Sequence, residues 1–465
     1  MPLTALAHPH VFVECTVTIV FDNQGLAGFH NHWVMDRMFS GNMLSSFAPG
    51  YDPENLTLRA SDVKSIKKGA FDSLKKFNYF HHILIQGNNI SELEAQDFNT
   101  KATTKGLVYE FFIPLYLNAD SNLSKVTMSV YDDSFYTSIR ILQFLISESD
   151  ALDIKHTIGP VKSLTYYMGQ VIPEGITFEF KKRPSETDPQ TNYSKQPSEN
   201  KCNNTNEIHP HELNQGWWQT IMLQINDWQA FLKDTMTDFG NEIKKNYWGK
   251  SFMLFILFSF LYGVIHALGP GHGKSIVSSY FIARPGSYLS GMLMAFVLST
   301  THALSGATFA LVLKVIFESP VLFSRALPVE RVSYALLIAI GLFLLIHAIV
   351  EMRKKGNETI PDHSNMKQLF VIAFTTGMIP CPGAAIILTF ALSLNIIIAG
   401  VTALISMGIG MGLTTSVFAF AAIFSRKTLT SITESSKGFH HMVHGGLSII
   451  GSLVIIMFGI VMFLT

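Results

Sequence analysis

Two periodicities divide this chain. From Val11 to Phe21 apolar and polar side chains alternate, so that Val11, Val13, Cys15, Val17, Ile19 and Phe21 share one face. That period of two predicts a half-buried strand. Asp22-Asn23-Gln24-Gly25 reads as a turn and residues 26–36 as the hairpin partner, with Gly25 as third loop residue suiting a type I turn closed by a bulge. Helices are predicted near 36–47 and 61–76, and strands near 81–86, 104–117, 125–131 and 176–181. Residues 8–183 thus read as a soluble α+β domain. Residues 184–212, rich in Pro, Ser, Asn, Thr and Lys, cannot build a core and predict a flexible linker. Residues 213–250 then place Trp217, Trp218, Ile221, Ile225, Trp228, Phe231, Leu232, Met236 and Phe239 at helical spacing, which predicts an amphipathic helix at a membrane interface.

Beyond residue 250 the pattern becomes continuously apolar. Six stretches, about 251–268, 288–313, 332–350, 368–394, 396–424 and 443–464, are long enough to cross about 30 Å of hydrocarbon. The expected architecture is therefore an α+β soluble domain followed by an all-α polytopic membrane domain, 251–465, of about six transmembrane helices. Lys274, Arg284, Arg353, Lys354, Lys355, Lys367, Arg426, Lys427 and Lys437 lie after spans one, three and five, and outnumber Arg325 and Arg331 after spans two and four. The positive-inside tendency puts the first set in the cytoplasm and the N-terminal domain in the periplasm of a bacterial inner membrane. Lys244, Lys245 and Lys250 weigh mildly the other way.

Composition sharpens this only at a few points. The formal net charge is zero over 465 residues, which gives no reason to expect nucleic acid as a partner. Cys15, Cys202 and Cys381 form no disulfide framework and fit no zinc-finger spacing. Residues 1–7 end in Ala5-Leu6-Ala7, like the tail of a signal peptide, which would leave His8 as the mature terminus.

The chemistry sits where the apolar runs are interrupted. The end of span one reads His266-Ala-Leu-Gly269-Pro270-Gly271-His272-Gly-Lys274, and Gly-Pro-Gly cannot continue a regular helix. A helix broken at membrane depth frees backbone carbonyls, which is tolerated only where they line protein or a cavity and which transporters use to coordinate cations. Span two carries Ser299-Thr300-Thr301-His302, and span four a second break, Pro380-Cys381-Pro382. Any one of these has a bland reading as a packing or hydrogen-bonding residue. Together, imidazoles and a thiol beside two breaks point to passage of nickel, cobalt or zinc rather than magnesium or calcium. HALGPGHGK, STTH and GMIPCPGA, in that order, resemble the NicO nickel/cobalt transporter family over roughly 250–465. The resemblance implies that His266, His272 and His302 line the path of a divalent transition-metal substrate, and Cys381 at the second break is a further candidate ligand; no organic cofactor is expected. The related permeases with His-x4-Asp-His differ: here the spacing is His-x5-His, and no acid lies inside any span.

In the N-terminal domain His30 and His32 project from one face of their strand. With the bulged turn, Leu26 pairs Asp22, His32 lies opposite Thr16, and the polar face gathers His10, Glu14, His30, His32 and Asp36; with His8 as mature terminus adding its α-amine and ring, this is a candidate zinc, nickel or copper site. Ordinary hydrogen bonding is the alternative. HPHVFVECTVTIVFD, FHNHW and Tyr131-Asp132-Asp133-Ser134-Phe135-Tyr136 resemble a periplasmic domain family of uncharacterised function found beside NicO permeases, one such pair being a zinc-uptake system. The expected function is transport, with uptake slightly favoured over nickel/cobalt efflux. A membrane-anchored metal sensor or chaperone is the remaining alternative, and a homo-oligomer is compatible with all three. Catalysis is not expected, because the spans offer no acid and Gly269–Ser275 is one residue short of a phosphate-binding loop.

Overall fold

A computed structural model describes residues 10–183 except 53–54, 120–122, 135, 148 and 167–170; 217–317 except 270–271; parts of 335–350; 366–432 except 379–380; and 437–464. The chain forms two compact units that interleave in sequence. One holds Val11–Asp36 and Phe47–Thr220; the other holds Met1–His10, Arg37–Ser46 and Ile221–Thr465.

Among the described residues the first unit is a mixed-sheet domain of ten strands. One sheet has the order β5 (Gln96–Thr103), β6 (Gly106–Asn118), β2 (Gly25–Met35), β1 (Val11–Phe21), β8 (Thr137–Ser147). The other runs β4 (Asn88–Ile90), β3 (His81–Ile85), β7 (Ser124–Val130), β10 (Glu174–Lys182), β9 (Leu152–Pro160). The alternation of β1 is realised as predicted, with its odd-numbered side chains from Val11 to Phe21 buried. Edge-to-face contacts of Phe21 with Phe178 and Phe180, at 5.6 and 5.3 Å, join the apolar faces of the two sheets. The β1–β2 turn closes with Asp22 N–H donating to Gly25 O (2.9 Å), while Asp22 Oδ1 accepts from the Gln24 and Gly25 amides. His32 does lie opposite Thr16, but the bulge falls between Val20 and Phe21, so Leu26 pairs Phe21 rather than Asp22. Helix α2 (Ala60–Gly69) and a 3-10 helix (Phe71–Phe80) fill the stretch expected to be one helix.

The second unit is helical. It contains α1 (Arg37–Phe47), up to Ser46, and α3 (Trp217–Lys245), α4 (Lys250–Leu268), α5 (His272–Ala283), α6 (Tyr288–Phe317), α7 (Met366–Gly377), α8 (Pro382–Ser393), α9 (Ile397–Ile432) and α10 (Lys437–Leu464). Three helices are long and apolar enough to cross a membrane among the described residues: Lys250–Leu268, Tyr288–Thr308 and Ile397–Ser431. A fourth span results if Leu369–Gly377 and Pro382–Ser393, bent by 59°, count as one. Among the described residues, then, three or four of the six expected spans are seen. Residues 332–350 lie largely outside the described ones, leaving the short apolar helix Gly341–Val350, and the apolar run in α10, Gly445–Met457, is short as well.

Close backbone approach organises the bundle. A Cβ on Gly263 of α4 would sit 2.2 Å from Met407 O of α9, and one on Gly410 would sit 2.3 Å from Phe260 O, so only glycine lets these helices meet here. Residues 272–283, expected to be part of a basic gap, form α5 instead. Its Ile276, Val277, Tyr280 and Phe281 join a core with Met294, Leu298, Leu369 and Ile423. The amphipathic helix α3 also forms, and it buries polar Asn226, Gln229, Lys233 and Thr237 beside Leu232 and Met236, while Trp228 and Phe231 are exposed.

Candidate metal centre

Three elements deliver the candidate ligands of the helical unit. His266 lies on the last turn of α4, 3% exposed, beside Tyr262 with ring centroids 5.6 Å apart. Its helix ends because Gly269, as C-cap, directs its amide back to Ile265 O (3.2 Å) before the Pro270-Gly271 pair. His302 lies within α6. Ser305, one turn on, donates to His302 O (2.9 Å) and to Gly377 O (3.0 Å) at the end of α7, tying α6 to the second break. Cys381 is the N-cap of α8, with Pro382 at the first helical position, where its fixed backbone suits a helix start. The Ala384 amide donates to Cys381 Sγ at 3.5 Å, which fixes the sulfur at the head of the helix. A Cβ on Gly306 would lie 2.3 Å from Cys381 O; its absence lets α6 press directly on the break.

The result is convergence. One ligand atom from each of His266, His302 and Cys381 lies within 4.8 Å of the other two. Cys381 Sγ is 3.6 Å from His266 Nε2. Ligand atoms bound to one ion at about 2.0–2.3 Å stand roughly 3–4 Å apart, so a small contraction would let all three grip the same cation. Two imidazoles and a thiol suit nickel, cobalt, zinc or copper and give a hard, oxygen-seeking ion little to bind. It is also the sole group of three or more such side chains at this spacing among the described residues.

Other predicted residues fall elsewhere. His272 opens α5, but its side chain, with Pro270, Gly271 and Pro380, lies outside the described ones, as does His8. The freed carbonyls of the first break have a partner of their own: Lys274 Nζ donates to Leu268 O (2.8 Å) and Gly269 O (2.6 Å). Glu14, His30 and His32 share the exposed face of the β1–β2 hairpin, with Thr18 opposite His30 and Val34 opposite Glu14. His32 Nδ1 lies 3.2 Å from Glu110 Oε1, and Lys101 Nζ reaches the same oxygen at 2.7 Å. The Lys101 ammonium, and then His32, hold the Glu110 carboxyl below its usual range. His10 belongs to the helical unit, where its ring centroid is 5.6 Å from that of His266. Strand alternation could not have signalled that neighbour. Tyr262 and Gly383, which border His266, were missed too, although Gly383 lies inside the GMIPCPGA stretch.

Residues 252–369 and 361–465 match the NicO family, described as high-affinity nickel-transport protein. Residues 1–151 match a family described as a protein of unknown function, DUF1007. A Haemophilus influenzae protein named for nickel/cobalt efflux is 26% identical over 248 residues, covering 45% of this chain and 77% of the relative. A Methanocaldococcus jannaschii protein with a similar name is 23% identical over 185 residues, covering 40% of this chain and 83% of the relative. An uncharacterised Haemophilus influenzae protein is 26% identical over 136 residues, 29% of this chain and 63% of its own length. No solved structure matches. The chain thus carries a DUF1007 region at its N-terminus and a NicO transporter domain at its C-terminus.

Proposed function

We propose that this protein moves a divalent transition metal, nickel, cobalt or zinc, across the bacterial inner membrane, with its sheet domain in the periplasm. The observation that carries the reading is the convergence of His266, His302 and Cys381 beside two interrupted helices. A polar cluster at membrane depth is costly and is kept where an ion or substrate needs it. Zinc enters through the donor set, since thiolate and imidazole are its usual ligands. Uptake is the preferred direction, because a metal-binding domain on the outer face serves an importer by raising effective concentration at the pore. In that role Glu14, His30 and His32 would capture the ion before transfer.

Efflux is the second reading, and the names of the two nickel/cobalt relatives favour it. Cellular nickel, cobalt, zinc and copper, measured in deletion and overexpression strains, separates the two. Loss of a metal on deletion means uptake, and accumulation means efflux. His302→Ala at wild-type abundance should abolish either effect. Normal metal movement by that variant would remove the ligand assignment, and flux-inactive protein in proteoliposomes would leave a membrane-anchored sensor or chaperone.

A further inference from the structure

The three converging ligands leave one position of a tetrahedral site unfilled, and a further imidazole stands beside His266. His10 is 6% exposed. Its ring centroid lies 5.6 Å from that of His266, with the planes inclined by 40°. Two imidazoles sharing an ion at about 2.0–2.1 Å and a tetrahedral angle place their centroids roughly 5 Å apart. A Cβ built on Gly383, two residues after Cys381, would lie 3.4 Å from His10 Nδ1 and 3.3 Å from His266 Cε1. Both rings therefore border the same small space at the start of α8, the end of the helix that carries the thiol. The backbone of His10 is itself held, because the buried Lys233 ammonium of α3 donates to its carbonyl at 2.9 Å.

We infer that His10 is the fourth ligand of the membrane metal site, converting His266, His302 and Cys381 into a three-imidazole, one-thiolate set. The inference rests on the proposed reading of that trio as a metal site. It assigns His10 away from the hairpin histidines. It also means that the ion is held in part by a residue lying immediately before β1 in the chain and outside the NicO-matching residues. A closed four-ligand shell retains an ion, whereas a three-ligand shell leaves a place for water. Withdrawal of His10 would therefore open the site and let its cargo leave.

The test uses the full chain in detergent, with cobalt(II) as probe. All variants carry His8→Ala so that the neighbouring imidazole cannot substitute. The parent should show intense four-coordinate ligand-field absorption and a thiolate-to-cobalt charge-transfer band. His10→Ala should keep the charge-transfer band, weaken cobalt binding at least tenfold and lose the four-coordinate intensity. His10→Cys should bind with about twice the charge-transfer intensity, a gain that a misfolded protein cannot produce. Cys381→Ser should lose the band altogether. If His10→Ala retains the parent's affinity and spectrum, or His10→Cys adds no intensity, His10 is not a ligand although the trio stands. If the parent itself shows no thiolate band, the reading of the trio falls first, and the assignment of His10 falls with it.

Discussion

Single side chains in this protein carry separate consequences for pH and for metal. His81, fully buried, has Nδ1 2.7 Å from Tyr79 O and Nε2 2.9 Å from Asn31 Oδ1, and it stacks beside Trp33. Burial pulls its pKa down from 6.5 to about 4. The unfolded chain therefore takes up a proton before the folded one does, and stability is full above about pH 6.5. It should fall as the pH drops towards 4, by about 3 kcal/mol at most, and level off below that. Thermal melting across this window checks the sign, and His81→Gln should flatten the profile. At Glu110 the sign is the same, but the window lies in stronger acid. Its carboxyl is held low by Lys101 and His32, so its contribution is present above its unfolded pKa and fades only in stronger acid. Engagement with Glu110 also makes His32 a poorer free ligand than its place on an exposed face implied.

At the scale of elements, the helix breaks and the close helix contacts decide what the site can be. Gly306→Val would push a side chain into Cys381 O, 2.3 Å from where its Cβ must go. The expected cost is about 1–3 kcal/mol of overpacking, read as a lower melting temperature in detergent together with lost metal flux. Lys274→Met would strip the donor from Leu268 O and Gly269 O. The loss of charge-assisted hydrogen bonds should lower stability by about 1.5–3 kcal/mol, measured in the same way. These contacts also explain what could and could not be read from residue order. The alternation of β1 and its hairpin was plain because period two is local, and His32 fell opposite Thr16, although through a bulge between Val20 and Phe21 rather than at the turn. Strand β8 was not anticipated: Ile141-Leu142-Gln143-Phe144-Leu145-Ile146 breaks the alternation, and the strand pairs in parallel with β1, more than a hundred residues away. The apolar runs announced the bundle and its breaks. Nothing in a linear pattern could say that Lys274 would claim the carbonyls freed at the first break, or that His10 would lie near His266 rather than with His30 and His32, because both depend on contacts between distant segments.

Taken as a whole molecule, the chain joins a ten-strand sheet domain to a NicO helical domain, and the helical domain should report its cargo through its own stability. A ligand that binds only the folded state at a hundred times its dissociation constant adds about 2.7 kcal/mol. Cobalt or zinc should therefore raise the melting temperature of the wild type, magnesium should not, and Cys381→Ser should abolish the rise. The sulfur at the head of α8 has one more effect. A thiol is a ligand only once its proton has gone, so an ion bound through Cys381 as proposed would shed a hydrogen ion, and its departure would call one back. With no acidic residue inside any predicted span, sulfur can tie cargo movement to hydrogen-ion exchange. Acidifying the loading side should then weaken the apparent affinity by about tenfold for each pH unit.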